Sequence, residues 1–76
     1  MSEQTFGQKA VGLSFNPSLD PAVNDCKAGF AALIDQMADI RNKVSNTPDH
    51  KRIASIAITE LQTAQMWAVK ALTWRD

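Results

Sequence analysis

The chain has 76 residues, a mass of 8.3 kDa and equal numbers of basic and acidic side chains, eight of each. This length allows one small domain and excludes a two-domain enzyme. Because the net charge is zero, the composition excludes a strongly basic nucleic-acid coat and an acidic DNA mimic. A single cysteine and a single histidine exclude a disulfide framework and a multi-cysteine zinc site, so we expect no metal and no cofactor.

The sequence shows no targeting signal. The first seven residues lack the basic segment and apolar run of a secretory peptide. No stretch of about 18 uncharged apolar residues is present to cross a bilayer. The most apolar stretch, from Ile53 to Val69, contains Glu60 and two glutamines. We therefore predict a soluble, intracellular protein with a reduced thiol and no membrane partner.

Two capping residues followed by proline divide the chain. Asp20-Pro21 and Thr47-Pro48 each place an N-cap side chain before a proline whose fixed φ suits a first helical turn. We predict two helices, over about 21–44 and 48–73. Upstream, glycines and an Asn-Pro-Ser run break any long helix, which leaves room for one short helical turn at most. The predicted organisation is an N-terminal arm over 1–19 and a helical hairpin domain over 20–76.

The first predicted helix carries an unbroken apolar seam with the period of an amphipathic helix. The seam consists of Val23, Cys26, Phe30, Leu33, Met37, Ile40 and Val44, and Ile34 widens it. Gly29 lies within this helix. It either marks the close approach of another backbone or a ligand, or it is a tolerated glycine that costs about 1 kcal/mol relative to alanine.

The second predicted helix is apolar on too many sides for a lone hairpin. The face expected to pack on the first helix consists of Ile53, Ala57, Leu61, Ala64, Ala68 and Leu72. Between Ile53 and Val69 only Glu60 is charged, whereas a surface helix of a monomer should have a polar back. A two-helix hairpin has no third layer to cover this surface. We therefore predict an all-α fold, an antiparallel two-helix hairpin with a short arm, assembled as an obligate homo-oligomer.

The sequence offers little evidence for a set of catalytic residues. Cys26 lies on the apolar seam, where a thiol is normally inert packing, and His50 lies near the start of the second helix. Asp35 and Asp39 lie four apart on one helix face; they are either metal ligands or, the interpretation we favour, a solvated face. Glu60 is either a buried acid or, as we favour, the partner of a cation at a subunit contact. The sequence predicts no catalytic residues and no enzyme.

The basic residues are scattered singly, which disfavours binding to a nucleic-acid polymer. Scattered cations can still converge between subunits around a small phosphate-bearing anion. The arm offers Phe15 beside Ser14 and Asn16, and Lys27 falls in the second turn of the first helix. Phe15 is therefore either a base-stacking ring or, on composition alone, a plug that pins the arm to the core. Lys27 is either a phosphate ligand or a solvated charge.

Two segments resemble a known family of small phage proteins. Val23-Asn24-Asp25-Cys26-Lys27 resembles the start of its first helix, and residues 52–71, from Arg52 to Ala71, resemble its second. The family is the hairpin domain shared by phage anti-CBASS and anti-Thoeris sponges, the Acb/Tad hairpin domain, and the resemblance covers about residues 20–73. It implies a homohexamer of helical hairpins. It also implies binding of host immune signalling nucleotides without cleavage.

The resemblance assigns candidate ligand-binding residues position by position. Lys27 matches the basic residue that would pair with a cyclic dinucleotide phosphate, and Asn24 belongs to the same motif. Phe15 is the nearest counterpart of the family's arm aromatic, two residues late, with Ser14 and Asn16 beside it. Lys70 matches a basic residue that is usually arginine in relatives and is associated with a trinucleotide pocket.

The function that the resemblance implies is a phage-encoded immune-evasion sponge in the host bacterial cytoplasm. Its expected ligands are cyclic dinucleotides and trinucleotides, and the family extends to cyclic ADP-ribose isomers. The alternative is a structural or assembly protein, a helical-hairpin oligomer that uses its apolar second helix only to associate and has no small-molecule ligand.

Overall fold

The computed structural model describes residues 3–17 and 19–75, and within these the fold is all-helical, as predicted. It contains a short helix α1 (Phe6–Ala10) and two long helices, α2 (Pro21–Asn42) and α3 (Pro48–Thr73). α2 packs against both of the others.

The arm contains a short helix and is not irregular throughout. Thr5 and Gln8 form a reciprocal capping box at the start of α1. At its end, the Gly12 N–H donates to the Lys9 carbonyl and the Leu13 N–H donates to the Gln8 carbonyl, which is a Schellman motif. Gly12 has φ +62°, a left-handed conformation that favours glycine. The arm therefore turns sharply after one helical turn and a half and returns toward α2.

The caps of the long helices follow the sequence signals. The Asp20 side chain accepts from the Ala22 N–H, and the Thr47 side chain accepts from the His50 N–H. α2 ends at Asn42, before the position near 44 that the apolar seam indicates, because Lys43 adopts an extended backbone. Val44 is consequently outside the helix and 92% exposed, so its placement in the buried seam is wrong.

The hairpin is antiparallel. Val23 and Lys27, at the start of α2, share a cavity with Val69 and Thr73 at the end of α3. A five-residue connection between helices of this length requires that arrangement. The start of α2, the end of α3 and the end of the arm therefore meet at one end of the molecule.

The core lies where all three helices meet. Its most buried side chain is Ile34, with 0% exposure. The buried cluster around it consists of Val11, Ala31, Ile34, Ala38 and Ile58. α2 thus buries a stripe between α1 and α3 that is offset from the predicted seam. Leu33 of that seam is exposed, and Phe30 and Met37 only border the core.

α3 packs with a face that only partly overlaps the predicted one, whose Leu61 borders the core. Ala54, Ile58 and Gln65 are buried, whereas Ile53 and Leu72 are exposed. The contact face is therefore turned by about one residue, or about 100°. Hydrophobicity alone does not select between neighbouring faces of α3, because its apolar residues cover more than one contact face. The fit against the rest of the fold selects the face that contains Ala54 and Ile58, which are buried. Within the described ranges, no helix is both long and apolar enough to cross a membrane.

Candidate functional site

A cavity of about 250 Å³ lies at the end of the hairpin where the arm returns to α2. Three elements contribute to its walls: the end of the arm, the first two turns of α2 and the last turns of α3. The lining residues are Phe15, Asn16, Pro17, Val23, Lys27, Val69 and Thr73. Three of the six predicted ligand-binding residues, Phe15, Asn16 and Lys27, are therefore brought together here.

Lys27 is the charged group of this cavity and is only 5% exposed. Its ammonium donates to the carbonyl oxygens of Gly12, at 3.1 Å, and of Phe15, and it lies 5.5 Å from the centroid of the Phe15 ring. The interpretation of Lys27 as a solvated charge is wrong, because the returning arm covers it. Within residues 3–17 and 19–75, no carboxylate forms an ion pair with it. The contacts of its ammonium within the described part of the chain are two neutral carbonyls and the Phe15 ring.

The Phe15 ring is not a plug. It is 69% exposed and lines the cavity, while Val11 fills the core position that a plug would take. What pins this part of the arm is its backbone, because the carbonyl of Phe15 accepts from Lys27. The ring is therefore free to present a face to a molecule in the cavity.

The two asparagines hold the end of the arm against the cap of α2. The Asn16 Nδ2 donates to the Asp20 carbonyl at 2.9 Å and to the Asn24 Oδ1 at 3.1 Å. Asn24 thus adjoins the cavity through Asn16 without lining it. Ser14 is exposed in the turn that follows α1 and is also outside the lining.

Lys70 belongs to a separate cluster. Its ammonium lies 5.1 Å from the ring centroid of Trp67 and 5.6 Å from that of Trp74. With both rings it lines a shallow cavity of about 320 Å³, and with Trp67 a second one of about 230 Å³, on the exposed side of α3. The grouping of the two tryptophans with Lys70 was not among the predictions from the sequence. Their spacings of three and four residues from it were the available signal.

The sequence also did not predict that Val69 and Thr73 line the Lys27 cavity. Both lie on α3, four residues apart, and their side of the helix faces the start of α2. Only the antiparallel register places them beside Lys27, more than 40 residues away in sequence. Sequence spacing within α3 carries no signal for this contact.

An apolar groove of about 570 Å³ runs between the middles of α2 and α3. Its walls consist of Leu33, Met37, Ala57, Glu60, Leu61 and Ala64. Glu60 is exposed at its edge, so the alternative of a buried acid does not hold in the single chain. Leu33, part of the predicted apolar seam of α2, is exposed and lines this groove.

The described residues contain no group of three or more histidine, cysteine, aspartate or glutamate side chains that could hold a metal ion. Cys26 is half-buried on α2, and His50 is exposed in the first turn of α3. Asp35 accepts a hydrogen bond from the Gly7 N–H at 2.6 Å, so it contacts the arm rather than facing only solvent. These groups do not form a nucleophile with an adjacent base.

Comparison with protein families gives one match. The family model described as "Acb2/Tad1, hairpin domain" matches residues 8–73, which begins inside α1 and extends to the end of α3. Neither the curated proteins nor the solved structures gave a match. The matched span includes the arm segment that lines the cavity, as well as the two long helices. The chain belongs to the Acb2/Tad1 hairpin-domain family, the anti-CBASS and anti-Thoeris sponges, which are not a known enzyme family.

Proposed function

We propose that this protein is a phage immune-evasion sponge that binds and sequesters host cyclic oligonucleotide second messengers without cleaving them. It acts where those messengers are made, in the cytoplasm of the host bacterium. The observation that carries the proposal is Lys27, a buried cation without an ion-pair partner in the described chain, on the wall of a cavity.

A buried charge is costly unless a group of opposite charge compensates it. The two carbonyls that accept from Lys27 leave one of its three ammonium hydrogens for a further acceptor. A phosphate oxygen supplies both the hydrogen-bond acceptor and the missing negative charge. The lining of the cavity therefore favours an anionic ligand.

The other walls suit a nucleoside. Phe15 presents an exposed aromatic ring next to Lys27, and base-aromatic stacking contributes about 1–3 kcal/mol per base. Val23 and Val69 contribute apolar surface, and Asn16 holds the arm in place beside them. Phosphate and base thus each have a matching group. Sequestration needs these contacts and no catalytic set.

We propose that a second copy of the chain completes this cavity, which is small for a cyclic dinucleotide. Sites for drug-sized ligands usually enclose about 300–1,000 Å³, and the cavity in one chain is about 250 Å³. A cyclic dinucleotide contains two phosphates and two bases, and one chain offers a single Lys27 and a single Phe15. Two symmetry-related cavities that open toward each other would provide one set for each nucleotide.

Assembly also accounts for the apolar surface of the single chain. The large apolar side chains that α3 exposes are Ile53, Ile56, Met66, Trp67 and Leu72. Monomeric proteins rarely leave contiguous apolar patches of this kind uncovered. With the apolar α2–α3 groove they form a surface that copies of the chain can bury. We propose a homo-oligomer, and a hexamer by the resemblance; light scattering at micromolar concentration that shows single folded chains would contradict this.

Ligand binding is tested by thermal unfolding with cyclic GMP–AMP, cyclic tri-AMP or cyclic ADP-ribose added separately. A ligand at 100 times its dissociation constant stabilises the folded state by about 2.7 kcal/mol. We expect at least one of the cyclic oligonucleotides to raise the melting temperature. We also expect it to be recovered chemically intact after the protein is denatured. Recovery of a linear product would show hydrolysis instead.

The role of Lys27 is tested by Lys27→Met, which keeps most of the side-chain volume and removes the charge. We expect loss of cyclic GMP–AMP affinity by at least about tenfold, because a charge-assisted hydrogen bond contributes about 1.5–3 kcal/mol. Lys27→Arg should retain part of the affinity. The matched control is Lys43→Met, at an exposed lysine at the end of α2. Equal affinities in the two methionine variants would refute the role of Lys27.

The alternative function is a structural hairpin oligomer without a ligand, and the exposed apolar side chains of α3 favour it. It predicts the same assembly but no change of melting temperature with any of the three ligands. The structural function gives no role to the buried charge of Lys27, whereas the sponge function uses it to bind a phosphate. We therefore prefer the sponge.

A further inference from the structure

The cavity depends on the position of the arm, because Phe15 and Asn16 reach it only when the arm lies against α2. The last part of the arm is fastened at the cavity by Asn16, which donates to Asp20 and Asn24, and by Lys27, whose ammonium binds the Gly12 and Phe15 carbonyls. This attachment lies in the ligand site itself. A phosphate that draws the ammonium toward itself weakens the same contacts that hold the ring in place.

A second attachment lies outside the cavity. The Gly7 N–H, in the first turn of α1, donates to Asp35 Oδ1 at 2.6 Å across 28 residues of sequence. Asp35 is eight residues after Lys27 on α2, or about 12 Å along the helix. Its carboxylate replaces the intrahelical acceptor that a first-turn N–H lacks. The attachment is therefore independent of the ligand.

The packing at Gly7 shows how closely this attachment is built. A Cβ atom added at Gly7 would lie 2.1 Å from the backbone oxygen of Ala31 and 2.8 Å from Asp35 Oδ1. Because the nearest atom belongs to a helix backbone, it cannot move aside. Only glycine allows α1 to approach α2 closely enough for the hydrogen bond. The guanidinium of Arg41, 4.8 Å from the Phe6 ring centroid, adds a contact at the same end of the arm.

We propose that Asp35 is a positioning residue for the ligand site: it anchors α1 through Gly7 and so keeps Phe15 over the cavity when Lys27 engages a phosphate. This inference rests on the proposed function. Asp35 does not line the cavity and does not contact the ligand. It acts through the arm, and its loss should reduce affinity without unfolding the hairpin of α2 and α3.

The test compares Asp35→Ala and Gly7→Ala with Asp35→Asn, which keeps a side-chain oxygen as acceptor. The matched control is Asp39→Ala, one turn later on α2 and exposed. Amide hydrogen exchange, measured without ligand, reports whether residues 7–15 are docked. We expect faster exchange there in Asp35→Ala and Gly7→Ala, unchanged protection in the middles of α2 and α3, and near-normal behaviour in Asp35→Asn and Asp39→Ala.

Affinity for cyclic GMP–AMP is then measured by calorimetry on the same proteins. We expect about a tenfold or greater loss in Asp35→Ala and Gly7→Ala, since the stacking ring is no longer held, and recovery in Asp35→Asn. An arm that stays protected in Asp35→Ala, or a released arm with unchanged affinity, would overturn the inference. If the unaltered chain binds none of the cyclic ligands, the proposed function and the positioning role both fail. The exchange data, which need no ligand, separate that result from a failure of the docking contact alone.

Discussion

Replacing Ile34 by alanine tests the position of the core. Ile34, on α2, is completely buried in the core cluster, together with Val11 after α1 and Ile58 on α3. Alanine lacks three of its carbon atoms, and at about 0.8 kcal/mol for each buried methylene the transfer term is about 2.4 kcal/mol. The cavity that remains adds to this loss, so we expect Ile34→Ala to lower the free energy of unfolding by about 3–4 kcal/mol. A protein of 76 residues has roughly 4–11 kcal/mol in total, so much of its stability is at stake.

The control is Val44→Ala, because the heptad seam predicts Val44 to be buried as well. In the structure Val44 is in the loop after α2 and almost fully exposed. We expect a change within about 0.5 kcal/mol. Urea unfolding, followed by far-UV circular dichroism, measures both variants. All samples need the same protein concentration, because assembly contributes to apparent stability. A loss below about 1 kcal/mol for Ile34→Ala, or equal losses in the two variants, would refute this core.

The remaining predictions concern Lys70 and two glycines. Lys70→Met should weaken binding of cyclic tri-AMP more than that of cyclic GMP–AMP, measured by calorimetry, because Lys70 lies outside the Lys27 cavity; equal losses would contradict separate sites. Gly12→Ala should lower stability by about 1 kcal/mol or more, since Gly12 has φ +62°, and an unchanged urea midpoint would contradict this. Gly29→Ala should raise stability by up to about 1 kcal/mol, because an added Cβ meets nothing within 4 Å; a lower midpoint would indicate a neighbour at Gly29, such as another subunit.

Local sequence signals determined the secondary structure. Asp20-Pro21 and Thr47-Pro48 begin the two long helices because a cap and a proline act through hydrogen bonds and dihedral angles within one turn. The segments around Lys27 and from Arg52 to Ala71 were also sufficient to indicate the family, which the match over residues 8–73 confirms. These features depend on residues that are close together in the chain.

Tertiary structure decided which helix faces are buried. The apolar surface of α3 is wider than one contact face, so its hydrophobic pattern does not distinguish the face of Ile53 from that of Ala54 and Ile58. The fit against the rest of the fold decides between them. On α2, the docking of α1 moves the buried stripe toward Ala31 and Ile34. Packing of this kind depends on contacts between distant parts of the chain, which periodicity within one helix does not encode.

The arm shows most clearly which features the sequence determines and which the tertiary structure decides. The sequence indicated Lys27 and Phe15 as candidates, but composition suggested a solvated lysine and a buried ring. The structure reverses both, because the turn at Gly12 carries two carbonyls onto the ammonium and leaves the ring outside. The helix α1 that precedes this turn is held by the Gly7 N–H against Asp35, 28 residues away. The fold sets how far a side chain is buried, and the residue type determines the free-energy change of that burial.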